Sequence, residues 1–182
     1  MKDYVVLVDD RNEVTGTSEK LEMHNSNTLL HRGFSIFLFN KKGKLLLQQR
    51  SHKKKTWPLV WSNSCCGHPM MNENPENAAK RRLLYELGIN NAEIFMILPE
   101  YKYRFKKDGI VENEFCPVMI GFTDEIPTPN PLEVENIKWV SWKDWLSEIR
   151  NNAKNYSEWC VEETVLLDQD NTFHKIYDAT LR

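Results

Sequence analysis

The chain lacks any long apolar run, any C-x-x-C pair and any excess of one charge, and each absence closes off a class of function. No hydrophobic stretch among its 182 residues approaches the span of a bilayer. The opening MKDYVVLVDDRNE sets Asp3, Asp9 and Asp10 in and just after its short apolar run, which is not the pattern of a secretory leader. With 24 Lys and Arg against 26 Asp and Glu, the net charge is −2, so no global field recruits nucleic acid or an anionic membrane. A small anionic ligand would need a local cluster of cations. The thiols are Cys65, Cys66, Cys116 and Cys160. Without a C-x-x-C pair they do not read as a zinc finger or a redox dithiol, and a bridge between the neighbours Cys65 and Cys66 would be strained. A soluble, cytoplasmic protein with no membrane and no nucleic-acid partner is expected. Cys65, Cys116 and Cys160 are expected to be inert buried residues, the common fate of a free cysteine. Internal repeats, low-complexity stretches and linkers are absent too, so residues 1–182 read as a single domain with one core.

What is present is the composition of an ordinary globular protein, 41% apolar and 27% charged. YVVLVDDRNEVTGTSEK begins as a strand and turns at Asp10–Asn12. GFSIFLFNKKGKLLLQQR predicts a hairpin, two apolar runs about the polar, glycine-ended NKKG. LVWSNSCC reads as one strand. NPENAAKRRLLYELG predicts the clearest helix: Asn74 can cap it, Pro75 suits its first turn and Gly88 can end it. Ala79, Leu83 and Leu87 recur four apart on it as a buried stripe. EIFMILPEYKYRFK and GIVENEFCPVMIGF, joined at Lys107–Gly109, predict one long hairpin. EVENIKWVSW predicts a further strand, and KDWLSEIRNN and SEWCVEETVLLDQ two helices capped by Ser141 and Ser157. Strands and helices mix without βαβ alternation. The expected fold class is therefore α+β, or a layered α/β/α domain with a mixed central sheet flanked by helices.

Three groups of residues carry chemistry. His24 and His31 stand near each other, His68 follows the cysteine pair, and IVENE places Glu112 and Glu114 two apart on a strand, hence on one face. Three imidazoles and two carboxylates would fill most of a six-coordinate shell, although spacing alone describes solvated side chains equally well. QQRSHKKKTW gathers Arg50, His52, Lys53, Lys54 and Lys55 at a strand end, with Lys20 earlier and Arg81 and Arg82 on the helix. These read either as a solvated basic surface or as a clamp on a diphosphate, in which Arg binds bidentately and Lys supplies point charge. The third group is the helix itself. In GHPMMNENPENAAKRRLLYELGI, Gly67, Glu73, Arg81, Glu86, Gly88 and Ile89 fall in a register that resembles the Nudix signature G-x5-E-x7-R-E-U-x-E-E-x-G-U, with U aliphatic. Arg82 stands where the signature has the Glu after its Arg, and Tyr85 where it has the first of its final Glu pair. A Nudix hydrolase holds Mg2+ on a diphosphate with those carboxylates, and only Glu86 remains. The resemblance implies a Nudix-like fold whose hydrolytic site has been dismantled.

NSCCGHP, RRLLYELG, YKYRF, GIVENE and SEW occur in one order and, with His24 and His31, closely resemble the type 1 isopentenyl-diphosphate delta-isomerases over essentially the whole chain. That resemblance implies conversion of isopentenyl diphosphate to dimethylallyl diphosphate: the terminal alkene carbon is protonated, a tertiary carbocation forms, and a proton leaves carbon 2, with no redox cofactor. It implies Cys66 and Glu114 as the acid/base pair on opposite sides of the substrate, and Tyr103 near the Glu114 carboxylate. Lys20, Arg50, Lys54 and Arg82 match diphosphate-binding positions, with Lys55 beside them. Trp159 matches an aromatic over the hydrocarbon, whereas Trp139, Trp142 and Trp145 read as core. His24, His31, His68, Glu112 and Glu114 match the ligands of a divalent ion, Mn2+, Zn2+ or Mg2+. Glu86 and the main-chain carbonyl of Cys66 match a second site, for Mg2+ bridging the diphosphate. Cys65 falls where an ordinary apolar residue is allowed. The expected partner is a small isoprenoid diphosphate; the oligomeric state is not legible. The alternative on the same fold is a Nudix-type diphosphate hydrolase, against which Arg82 and Tyr85 argue.

Overall fold

A computed structural model describes residues 3–181. Strands β1 (Tyr4–Val8) and β2 (Val14–Glu19) form a hairpin that turns at Asn12, whose φ of +65° is one that Asn tolerates better than most residues, and leads into a one-turn helix α1 (Lys20–Met23). After β3 (His31–Arg32) come β4 (Phe34–Phe39) and β5 (Lys44–Arg50), the expected hairpin about Asn40–Gly43, with Gly43 at φ +65°.

The next stretch departs from expectation. The strand predicted over LVWSNSCC is two pieces, β6 (Trp61–Ser62) pairing with β5 and β7 (Cys65–Gly67) pairing with β4. Strands β4 and β5 pair only through Leu38–Leu46 and Phe39–Leu45 before they diverge. Asn63 and Ser64 fill the gap. Ser64 Oγ donates to Leu46 O at 2.6 Å and accepts from Leu38 N at 2.7 Å, and Asn63 Nδ2 donates to Ile36 O at 3.2 Å. Side chains thus satisfy backbone groups that a continuous strand would have left unpaired.

Helix α2 (Pro75–Leu87) forms as its caps dictate: Asn74 Oδ1 accepts from Asn77 N at 2.8 Å and Gly88, at φ +66°, closes the other end. The long hairpin that follows is folded over. Of its strands β8 (Glu93–Leu98), β9 (Lys102–Lys107), β10 (Ile110–Phe115) and β11 (Val118–Phe122), the inner pair β9–β10 lies in one sheet and the outer pair β8–β11 in another. The crossings fall at Pro99 and Pro117, which have no N–H to offer a continuing ladder. Strand β12 (Val134–Ser141) runs directly into α3 (Trp142–Asn152), with Ser141 Oγ accepting from Asp144 N at 3.1 Å. Ser157 stands at the N-cap of α4 (Glu158–Gln169) but makes no capping bond; its hydroxyl lies 2.8 Å from Ser62 Oγ instead. The chain ends on α5 (Asn171–Thr180), capped by Asp170.

Two mixed sheets result, not one. The smaller runs β2-β1-β3-β10-β9, with β3 and β10 parallel; the larger runs β12-β5-β4-β11-β8, with β4 and β11 parallel. Alternation along β4 serves both faces of the larger sheet. Phe34, Ile36 and Leu38 pack with Ala79, Leu83 and Leu87 of α2, while Phe37 and Phe39 pack with Trp142, Trp145, Leu167 and Phe173 of the other helices. This is the layered α/β/α arrangement, with the smaller sheet added beside it. Trp142 and Trp145 are core residues as expected.

Candidate active site

Three histidines and two glutamates converge where β3, β7 and β10 meet. Parallel pairing sets Glu114 opposite His31, His68 follows β7, and His24 follows α1. Each of the three imidazoles turns its Nε2 towards a carboxylate. His24 Nδ1 lies 2.7 Å from Lys20 O, and His31 Nδ1 2.9 Å from Leu29 O. A carbonyl only accepts, so both Nδ1 atoms carry protons, and Nε2 is the nitrogen that each neutral ring offers to a metal ion. His24 Nε2 sits 3.0 Å from Glu112 Oε2; His31 and His68 Nε2 sit 3.5 and 3.0 Å from Glu114 Oε1, and 3.3 Å from each other. Two groups of possible ligands, His24–His31–His68 and His31–Glu112–Glu114, each have their donor atoms within 4.8 Å of one another. Lone pairs crowded this closely, almost wholly out of solvent, fit a cation between them. Burial pushes the His68 pKa down to about 4. For His24 burial opposes protonation, but the Glu112 carboxylate more than offsets it and raises the pKa. Burial works against ionised Glu114 as well, yet His31 and His68 hold its pKa well below the usual carboxylate range.

His24, His68, Glu112 and Glu114 border a cavity of about 400 Å3 that also receives Lys20, Arg50, Lys54, Lys55, Cys66, Arg82, Tyr103 and Trp159, with His31 buried behind them. The predicted cations therefore do share a wall with the predicted acid/base residues. They are already paired. Lys54 Nζ lies 2.5 Å from Glu133 Oε2, and Arg82 Nη2 lies 2.5 Å from Glu86 Oε1 and 3.2 Å from Glu133. Arg50 donates to the carbonyl of Thr56 at 2.9 Å, and Lys20 pairs with Asp3 at 3.3 Å. Glu86 is buried behind Arg82, which bonds Oε1 through Nε at 2.9 Å as well, while Gln48 Nε2 reaches Oε2 at 3.3 Å. A metal ion at Glu86 requires that guanidinium to move.

Cys66 alone of the four thiols is not fully buried. Its Sγ donates to Asn63 Oδ1 at 3.1 Å and lies 3.4 Å from Ser35 Oγ. Burial, with Glu163 next in importance, pushes its pKa up to about 12. Tyr103 is the cross-strand partner of Glu114. Its ring stacks on Trp159, centroids 5.7 Å apart and planes 18° apart. Trp57 meets the same indole edge-on at 5.3 Å, and Arg50 Cζ stands 5.8 Å from its centroid.

A Nudix domain model matches residues 29–160. An isopentenyl-diphosphate delta-isomerase of Saccharopolyspora erythraea is 42% identical over 164 residues, covering 90% of this chain and 84% of that protein. One from Enterobacter is 40% identical over 167 residues, covering 90% of each. The chain belongs to the isopentenyl-diphosphate delta-isomerase family. Among solved structures, a Deinococcus radiodurans protein superposes with a TM-score of 0.70 over 89% of this chain and 97% of its own, at 21% identity, and a MutT protein of Methanosarcina mazei with 0.59 over 82% and 94%, at 17% identity. Both likenesses establish the fold, and Nudix domains generally bind divalent metal ions.

For this delta-isomerase family member, sequence reasoning missed four residues that build the site. Glu133 neutralises Lys54 and Arg82, yet PLEVEN carries nothing to distinguish it from a solvated carboxylate. Asn63 orients the Cys66 thiol, and its place in NSCCGHP was the available signal. Trp57 is held at φ +46°, strained for an aromatic residue, with Nε1 bonded to Glu158 at 2.7 Å. Gly33 lies so close to Glu114 that an added Cβ would fall 1.9 Å from Oε2.

Proposed function

We propose that the protein isomerises isopentenyl diphosphate to dimethylallyl diphosphate, working as one Nudix-fold domain over residues 1–182. The observation that carries this reading is the shared cavity, which brings the Cys66 thiol and the Glu114 carboxylate together with Arg50, Lys54 and Arg82. Lys20, Arg50, Lys54 and Arg82 grip the diphosphate and so fix the alkene between the two acid/base groups. An unactivated alkene is a weak base, and each tenfold in rate needs about 1.4 kcal/mol off the barrier. One of Cys66 and Glu114 gives its proton to the terminal carbon, leaving a tertiary cation. The other removes a proton from carbon 2, and that C–H pair becomes the new double bond. One proton enters and one leaves, so the two groups exchange roles when the reaction runs backwards. Tyr103 is placed to steady the Glu114 side. The buried face of Trp159 stabilises the cation by ~2 kcal/mol, about thirtyfold in rate. Exclusion of water protects the cation from capture.

His24, His31, His68, Glu112 and Glu114 would hold a divalent ion, and this mixture of imidazole and carboxylate suits Mn2+, Zn2+ or Mg2+. When bound, such an ion lowers the proton affinity of the Glu114 carboxylate. Glu86 and the main-chain carbonyl of Cys66 would hold Mg2+ with the diphosphate once Arg82 turns from Glu86 to the substrate. No helix among the described residues is long and apolar enough to cross a membrane, and we infer a cytoplasmic enzyme of a small-molecule substrate. Incubation with isopentenyl diphosphate and Mg2+ should yield the acid-labile allylic isomer, visible by proton NMR. Release of phosphate or pyrophosphate without that isomer would replace this reading by the hydrolase.

A further inference from the structure

One carboxylate of the cavity wall has no part in the proton transfer or the histidine cluster. Of the acidic residues lining the cavity, Glu112 and Glu114 face the histidines, and the exposed Asp3 pairs with Lys20. Glu133 remains. Its side chain is 15% exposed, so it stands within the cationic wall and not in bulk solvent. A single oxygen, Oε2, meets Lys54 Nζ at 2.5 Å and Arg82 Nη2 at 3.2 Å. Burial works against ionised Glu133, but those two cations hold its pKa below the usual carboxylate range. It is an anion at neutral pH, and it bridges two of the cations assigned to the diphosphate.

The fold delivers this carboxylate to its place without help from the ion pairs. Antiparallel pairing sets Val134 of β12 opposite Arg50 of β5, which brings Glu133 beside Ser51. Ser51 N donates to Glu133 O at 2.9 Å, Ser51 Oγ to Pro131 O at 3.0 Å, and Glu133 N to Asn130 O at 3.0 Å. Lys54 is brought round by its own N–H, which donates to Ser51 O at 3.0 Å. Arg82 is aimed by other partners: it bonds Glu86 Oε1 through Nε and Nη2 at 2.9 and 2.5 Å, and its Cζ lies 5.0 Å from the centre of the Tyr85 ring. Glu133 at 3.2 Å is the more distant of its two carboxylate partners. Neither cation depends on Glu133 for direction. What Glu133 supplies is negative charge at the point where a phosphate oxygen would have to reach both.

We propose that Glu133 is a built-in competitor for the diphosphate: its carboxylate holds Lys54 and Arg82 by contacts of the kind a phosphate oxygen makes, so substrate binds by displacing it and product leaves as it returns. The inference rests on the reading of Lys54 and Arg82 as diphosphate cations. A diphosphate wins the exchange because it carries more charge and offers more oxygens. The exchange nevertheless weakens binding, since the displaced carboxylate gives up its cations and stays close to a second anion. Substrate and product carry the same diphosphate, so the competition loosens both alike and keeps the product from being held after the chemistry is done.

The test is calorimetric titration of inorganic pyrophosphate, with Mg2+ present, into the metal-loaded protein. Glu133→Gln keeps the shape and removes the charge, and it should bind pyrophosphate about tenfold more tightly than the parent. Glu135→Gln makes the same change of charge on a carboxylate that pairs with His52 at 2.6 Å outside the cavity, and its Kd should stay within about twofold of the parent. Unchanged or weaker binding in Glu133→Gln, or equal tightening in Glu135→Gln, would overturn the proposal. If Glu133→Gln does not fold, a crystal structure of the parent protein with Mg2+ and pyrophosphate decides. Lys54 Nζ should then lie on a phosphate oxygen and more than about 4 Å from Glu133; a lysine still on Glu133 overturns the competition. Lys54→Met separates the levels. If it binds pyrophosphate as tightly as the parent, the reading of the cations fails, whereas a weakened Lys54→Met beside an untightened Glu133→Gln sinks the competitor role alone.

Discussion

Replacing Gly33 by alanine tests whether the Glu114 carboxylate must sit where His31 and His68 hold it. Gly33 follows β3 and donates its N–H to Phe115 O at 2.9 Å. Its φ lies outside the left-handed region, so the effect of a methyl group is steric and not conformational. That methyl carbon would stand 1.9 Å from Glu114 Oε2 and 2.6 Å from Cδ, where real contacts stay above 3.0 Å. The carboxylate must therefore retreat by about 1 Å or more. Strand β10 cannot yield easily, being paired to β3 on one side and β9 on the other, so the side chain rotates and leaves His31 and His68. A displacement of about 1 Å at a reacting group costs on the order of 100-fold in rate, and overpacking costs about 1–3 kcal/mol. Expected for Gly33→Ala are a kcat about 100-fold down, less than half the wild-type divalent metal by elemental analysis, and a melting temperature lower by several degrees. Wild-type metal content and a rate within about threefold of the parent would refute the claim that this carboxylate is held in one place for catalysis.

Cys66→Ala should abolish turnover while leaving the fold intact by circular dichroism; Cys65→Ala, which trims a fully buried side chain away from the cavity, should cost about 1 kcal/mol in urea unfolding and little rate. Arg82→Ala leaves Glu86 buried without its cation and takes one from Glu133; it should destabilise by about 3 kcal/mol and raise KM at least tenfold. The metal-free protein should lose stability on acidification through His68: the unfolded chain takes up a proton below its ordinary pKa of 6.5, the folded one only near 4, so stability falls as pH drops through that window. The difference is worth at most about 3 kcal/mol, and urea melts from pH 7 to 4 should show a shallower slope in His68→Gln; equal slopes would contradict the burial argument.

Local chemistry made much of the fold legible and long-range chemistry did not. Helix α2 could be read because its signals are its own: Asn74, Pro75, Gly88 and an apolar stripe. The β4–β5 turn was equally self-contained. The two-sheet split was hidden because it depends on what lies across the core. Pro99 and Pro117 mark the crossings, but a proline says only that a ladder stops, not that the chain joins another sheet. Ser157 looked like a cap and is instead engaged by Ser62, a residue far away in sequence. The same distinction governs the site. The assignment of His24, His31, His68, Glu112, Glu114 and Cys66 comes from a family register, not from spacing. Glu133 and Gly33 act only by where folding puts them, and their sequence neighbourhoods are silent.

The degenerate signature shows how one fold is turned from hydrolysis towards proton transfer. What holds the loop to its helix is kept: Arg81 grips Glu73 through Nε at 2.9 Å and Nη2 at 2.6 Å, and also reaches His68 O at 3.2 Å. That bond ties the structural half of the box to a histidine of the cluster. What would gather metal on a diphosphate is largely removed. Arg82 places a guanidinium where the signature has a carboxylate, and it spends that charge on Glu86 and Glu133. A carboxylate-rich helix face can recruit several cations to activate water; a face carrying one carboxylate already paired with arginine cannot do so without first giving that arginine to another anion. The incoming diphosphate is such an anion. Arg82 would thus exchange Glu86 for phosphate oxygens and uncover a single carboxylate, enough to anchor the substrate and too few to make water a nucleophile.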